Sequence, residues 1–320
     1  MISTTAQTVL VTGATGFVGK ALCAQLARLG CRVCAAVRTD GSANGLLADE
    51  VLVGELGANT DWTSAVAGAS AVVHLAARVH VMDDQASDPL AEFRRVNVQG
   101  TLRLAQQAAQ AGVRRFVYIS SIKALGEATL VDQPFTEESP AHPSDAYGIS
   151  KLEAELGLRD LALQTGLEVV IIRPPLVYGP GVKANFAALM RAVQRGVPLP
   201  LGAVHNVRSL VGLDNLVDFI VTCLAHPKAA NQNFMVSDGQ DLSTTDLIRA
   251  MAQGAGVKAR LVPAPVWALK AVANVLGKRE AVQRLCGSLQ VDITKARTLL
   301  DWTPPVTVFE GLRLSMETGK

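Results

Sequence analysis

The chain has 320 residues, of which 49% are hydrophobic, with 30 Lys and Arg against 28 Asp and Glu and a formal net charge of +2. That length buries a large core and permits one α/β domain or one plus a smaller lobe. Charges of both signs are spread along the chain with no Lys/Arg stripe, so a nucleic-acid partner is not expected. The five cysteines show no spacing of a disulfide frame and fit a reducing, cytoplasmic setting. Cys31 and Cys34 form a C-x-x-C within "CRVCAAV", a strand pattern that reads as small buried apolar residues. "MISTTAQ" lacks the basic start of a secretory leader, and no run of about eighteen apolar residues occurs, so no membrane insertion is expected.

In chain order, "TVLVTG" reads as a buried strand that ends in glycine, followed by "FVGKALCAQLARLG", a helix stopped by Gly30. "CRVCAAVR", "VLVGEL" and "AVVHLAA" (71–77) read as further strands. Residues 89–112 form a long helix between Pro89 and Gly112. "RFVYISS" (115–121) and "EVVIIRP" (168–174) are strands, with a helix over 144–166 between them. Alternating β and α segments with continuous apolar strands predict a doubly wound, Rossmann-type parallel sheet, an α/β fold. After residue 175 the rhythm breaks at "RPPLVYGPG" and "RGVPLPLG". The expected division is a nucleotide-binding domain over 1–175, to which 205–238 returns through the strand-like "NQNFMVSDG". A smaller substrate lobe takes 176–204 and 239–320. The aliphatic 263–277 reads as a helix packed on that lobe, in preference to a membrane-surface helix.

"TGATGFVG" (12–19) sits between the first strand and the first helix. Glycines there let the backbone turn sharply and approach a pyrophosphate, and the helix start offers N–H groups and a positive dipole end. Gly19 falls where the helix packs on the sheet without a side chain. The second strand ends in Val37 and Arg38, not in the acid that bonds ribose hydroxyls in NAD binders. A guanidinium there stacks on adenine and pairs with a 2′-phosphate, so NADP(H) is expected. The competing reading leaves Arg38 in solvent, gives Asp40 the acidic role and takes NAD. Glu55 and Leu56 follow the third strand and border the adenine.

Tyr147 and Lys151 occur as "YGISK", four apart on one helix face. A neighbouring ammonium lowers the pKa of a phenol, which can then pass a proton to or from a sugar oxygen. Ser121, ending a strand at the edge where ligands of open sheets bind, is the candidate hydrogen-bond partner of the reacting oxygen. His74 and His80 have no third ligand at metal spacing, so no metal is expected.

Taken together, "TGATGFVG", "HLAA", "YISS", "YGISK" and "RPPLVYGPG" resemble the extended short-chain dehydrogenase/reductases, in their UDP-glucose 4-epimerase-like nucleotide-sugar branch. The similarity continues through "RSLVGLDNLVDFI" and "DITKARTLLDWTPP". The resemblance implies Ser121, Tyr147 and Lys151 as the catalytic set, with Lys151 also on the nicotinamide ribose. It implies cofactor contacts from Gly13, Thr15, Gly16, Phe17, Val18, Leu75, Ala76, Ala77 and Pro174. It places Lys123, Asn185, Leu199, Leu201 and Arg208 with the nucleoside-diphosphate sugar, and Arg284 is either a second diphosphate contact or a surface charge. It also implies a homodimer through the helices at 89–112 and 144–166. Three departures bear on the reaction. Leu176 stands where the family often has Asn, Ile122-Lys123 replaces the Asp-Glu pair of the dehydratases, and Arg38 replaces the acid of NAD-retaining epimerases. The pattern is similar to bacterial UDP-4-keto-6-deoxy-N-acetylhexosamine reductases of surface-polysaccharide synthesis, so NADPH-dependent 4-keto reduction is expected. A UDP-hexose or UDP-N-acetylhexosamine 4-epimerase with bound NAD is the first alternative, and a non-catalytic NADP sensor is the second.

Overall fold

A computed structural model describes residues 7–79, 88–275, 277 and 279–317. Seven strands form one parallel sheet: β1 (Thr8–Thr12), β2 (Arg32–Val37), β3 (Asp49–Leu52), β4 (Ala71–His74), β5 (Arg115–Ile119), β6 (Glu168–Arg173) and β9 (Gln232–Met235). Their spatial order is β3-β2-β1-β4-β5-β6-β9. The chain therefore reverses direction of travel between β1 and β4, and that switch point opens a crevice at the carboxyl ends of the strands. The two remaining strands, β7 (Leu176–Tyr178) and β8 (Leu210–Gly212), pair separately.

Period-two alternation explains why both sheet faces are covered. Val9, Val11, Val73, Val117, Val170 and Ile172 face one core with α1 (Phe17–Arg28) and α7 (Leu213–Ala225). Leu10, Val72, Phe116, Tyr118, Val169 and Ile171 face the other, under α2 (Thr63–Val66), α4 (Thr101–Gln110) and α5 (Ala146–Thr165). A third core lies outside the sheet. Tyr178, Met190, Ile248, Met251, Leu312 and Met316 pack there among α6 (Ala184–Gln194), α8 (Thr244–Ala255) and α12 (Val308–Glu317). Tyr178 Oη joins that lobe to the sheet by donating to Asp238 Oδ2 at 2.7 Å, while Asp238 Oδ1 accepts from Gly212 N and Asn215 Nδ2.

Three details differ from the sequence reading. The long helix over 89–112 is a composite of α3 (Pro89–Phe93), a π-helical stretch at Arg94–Gly100, and α4. Residues placed with the second lobe, among them Ile293, Ala296 and Leu300 around α11 (Thr294–Leu300), and Trp302 after it, pack instead into the first sheet core. Their apolar side chains cover Phe219 of α7, which Trp302 meets at 4.7 Å. Cys31 precedes β2 rather than lying in it, and burial raises the thiol pKa of both Cys31 and Cys34. Helices α9 (Val266–Val275) and α10 (Arg279–Cys286) complete the set. Among the described residues, no helix is long and apolar enough to cross a membrane.

Candidate active site

The glycine loop turns from β1 into α1 at the switch point. Gly13 has φ +66°, and a Cβ there would stand 2.9 Å from Ala76 N. At Gly19 a Cβ would stand 2.1 Å from Gly13 O, so the loop and the helix fit only without a side chain. Gly16, the N-cap of α1, carries no side-chain cap. The first N–H groups of the helix therefore point outward as a ready anion site. A dinucleotide pyrophosphate matches this bare, positive cradle, so the residues fit a nicotinamide dinucleotide. Thr15 and Gly16 are exposed, Phe17 and Val18 half-buried, and Leu75, Ala76 and Ala77 run along the opposite wall after β4.

The two walls are tied by a buried relay. Thr12 Oγ1 accepts from Ala76 N at 3.1 Å and meets His74 Nδ1 at 2.7 Å, and His74 Nε2 meets Thr101 Oγ1 at 2.9 Å. Burial, and then the Lys151 charge, push the His74 pKa down to about 3, so the ring is a neutral strut. His80 lies outside the described residues. At the rim, Arg38 Nη1 stands 3.7 Å from Glu55 Oε1, both side chains exposed. Leu56 is buried behind them.

Helix α5 presents Tyr147, Lys151 and Glu155 on one ridge, spaced by four. Asp145 caps it by accepting from Gly148 N at 2.7 Å, and Gly166 closes it in a left-handed turn. The helix start lies against the turn after β5. A Cβ at Gly148 would stand 2.4 Å from Lys123 O, so glycine permits the approach that sets Tyr147 beside Ser121. Ser121 Oγ accepts from Lys123 N at 3.2 Å, which orients the hydroxyl. Burial pushes the Tyr147 phenol up to about 12, and a hydrogen bond with Ser121 opposes that rise. Lys151 is 2% exposed; its Nζ donates to Ile119 O at 2.8 Å and sits 5.8 Å from the Tyr147 ring centre. Burial pushes its pKa down to about 7, against the pull of Glu155. Phe93 braces the Tyr147 ring edge-on at 6.2 Å.

Of the other expected residues, Lys123 is engaged at the mouth: Nζ donates to Asp145 Oδ2 at 2.5 Å and Glu127 Oε1 at 2.8 Å. Pro174 is buried, and its carbonyl accepts from Ile122 N at 3.0 Å. Across the crevice, Asn185 is exposed on the first turn of α6, whereas Leu201 is buried in the third core with Leu199 packed against it. Arg208 Nη1 donates to Arg284 O at 2.8 Å and Gly287 O at 2.9 Å, and burial lowers its pKa. Leu176 is exposed at the start of β7.

Two features beneath the site were not singled out in the sequence. Asn97, buried in the π-helical stretch, donates to Arg78 O and Ser150 Oγ and accepts from Arg78 N. Glu155, 0% exposed, accepts from Ser120 Oγ at 2.6 Å and forms a two-point ion pair with Arg173. The signal for Glu155 was its place one turn beyond Lys151 on a face otherwise destined for the core.

The profile of the NAD dependent epimerase/dehydratase family matches residues 9–237. The chain belongs to that family. It is an NAD(P)-dependent enzyme of the extended short-chain dehydrogenase/reductase nucleotide-sugar branch. A Vibrio cholerae protein described as UDP-glucose 4-epimerase is 49% identical over 310 residues, covering 96% of this chain and 94% of the relative. Family members also share its fold in solved structures. UDP-glucuronic acid 4-epimerase from Bacillus cereus in complex with NAD superposes with TM-score 0.78 at 21% identity, covering 98% of each chain. MoeE5 in complex with UDP-glucose and NAD gives TM-score 0.76 at 27% identity, covering 97% of each chain.

Proposed function

We propose that the protein is a UDP-hexose 4-epimerase that works with NAD. The observation that carries this reading is the convergence of Ser121, Tyr147 and Lys151 beside the glycine cradle. The near-full-length similarity to the Vibrio cholerae relative supports epimerisation over the reduction expected from the sequence. Glu55 supports NAD: a carboxylate 3.7 Å from Arg38 accepts from ribose hydroxyls and opposes a 2′-phosphate.

The nicotinamide, when bound, supplies reversible hydride acceptance at the sugar carbon. Gly13, Gly16 and the start of α1 hold the pyrophosphate, with Leu75, Ala76 and Ala77 along the other wall. Tyr147 Oη takes the proton from the sugar hydroxyl and later returns it. Ser121 Oγ bonds the same oxygen and fixes its position. Lys151 lowers the cost of the phenolate by its charge and bonds the ribose. Arg208 and Asn185 bind the diphosphate end, leaving the sugar free to present either face.

Purified protein incubated with UDP-galactose and NAD is expected to form UDP-glucose with no net NADH. Absence of interconversion overturns this reading. A second reading, NADPH-dependent reduction of a UDP-4-keto-6-deoxy-N-acetylhexosamine, is favoured by Arg38 alone. It stands if that substrate drives NADPH loss while the hexoses are inert, and it fails if neither occurs.

A further inference from the structure

The outer surface of the second lobe has no role in this chemistry. Helix α9 is largely apolar, with Lys270 its one charge. Its inner face packs through Leu269 and buried Ala273. Its outer face leaves Trp267 74% and Val275 86% exposed, with Val272 beside them and Val262 exposed on the segment leading in. Single exposed aliphatics are ordinary on soluble proteins, but a tryptophan with several valines on one helix and its lead-in marks a contact surface.

The signs mix along most of the chain, but in two stretches beside that surface the charge is one-sided. Apart from Arg208 in the candidate site, residues 181–213 carry Lys183, Arg191 and Arg195, with no Asp or Glu. Residues 247–279 carry Lys258, Arg260, Lys270, Lys278 and Arg279, besides Arg249, which pairs with Asp246, again with no acid within the stretch. The whole chain nearly balances 30 basic against 28 acidic residues, so these two stretches concentrate the excess. The fold brings them together: Leu199 N donates to Arg260 O, and Val262 N to Leu199 O, both at 2.8 Å. Lys258, Arg260 and Lys270 are exposed there.

We propose that this face docks the protein peripherally on an anionic membrane surface. Tryptophan and valine enter the headgroup boundary while Lys and Arg stems lie along it with their charges on lipid phosphates. Each basic residue near an anionic leaflet strengthens the attraction. A second copy of this chain is a poorer occupant, because pairing the face with itself sets Lys258, Arg260 and Lys270 against their own charge.

The test uses the full chain and sedimentation with phosphatidylcholine vesicles that either contain or lack phosphatidylglycerol. Binding is expected only to the phosphatidylglycerol vesicles, with release as salt rises. Lys270→Glu is expected to weaken binding on the order of tenfold or more. Trp267→Ser is expected to weaken it several-fold. Both residues are exposed, so circular dichroism of the variants should match the parent. Failure to sediment at low salt overturns the proposal, as does binding that neither substitution changes. A shift in oligomeric state on Trp267→Ser, without vesicle binding by the parent, assigns the face to a second copy and also overturns it.

Discussion

Arg173→Met tests whether the ion pair beneath the site is a tie or a burden. The substitution leaves Glu155 a carboxylate with 0% exposure, held among the described residues by Ser120 Oγ at 2.6 Å and, at 3.5 Å, by Arg159. Removing one partner of a buried pair costs ~3–5 kcal/mol, because a charge remains out of water. Glu155→Leu strands the Arg173 guanidinium at similar cost. The double variant behaves differently. It removes both charges, and with them Arg173 Nη1, buried without a partner among the described residues. Its residual penalty is the Ser120 hydroxyl, ~1–3 kcal/mol, offset by the apolar replacement. The double variant is therefore expected within ~2 kcal/mol of the parent, with a coupling energy above ~3 kcal/mol. Urea midpoints followed by tryptophan fluorescence measure all four proteins. A double variant as unstable as the two single losses combined would refute the reasoning.

Other expectations follow from the same geometry. Tyr147→Phe should lower kcat about 10²–10⁴-fold while dinucleotide binding, read by fluorescence titration, is retained. Gly148→Ala places a Cβ 2.4 Å from Lys123 O, so it should cost ~1–3 kcal/mol and reduce kcat; parental kcat would mean the turn can give way. His74 binds fewer protons folded (pKa about 3) than unfolded (6.5). Its contribution is whole above pH ~6.5 and is lost toward pH ~3, at up to ~1.4 kcal/mol per unit. His74→Asn should flatten that part of the stability–pH curve, and an unchanged slope would count against the neutral strut. Leu163, 88% exposed on α5, should lie in a homodimer face; Leu163→Glu is then expected to yield monomer in sedimentation velocity, and no change would exclude it.

The sheet was legible because its strands are nearly unbroken apolar runs, and alternation along β1, β5 and β6 does divide them between two cores. The cradle was legible because backbone geometry forces glycine there. Tyr147 and Lys151 could be paired because helical spacing alone places them together. Asn97 and Glu155 were not, since a polar residue on a core-facing helix shows its purpose only through partners distant in sequence, such as Arg78 and Arg173. The packing of the last segment was not legible for a related reason. Ile293 and Trp302 are apolar residues whose destination depends on which face is left uncovered.

One rod, α5, carries the Tyr147 phenol, the buried Lys151 amine and the Glu155 carboxylate, and it is seated at its start by Gly148 and at mid-length by Glu155. The opposing wall of the crevice belongs to a separate core with its own helices. If the proposed function holds, sugar recognition would be open to change by repacking around α6 without disturbing Ser121, Tyr147 or Lys151. A chimaera that exchanges that wall between relatives is then expected to change selectivity while the proposed catalytic set stays in place.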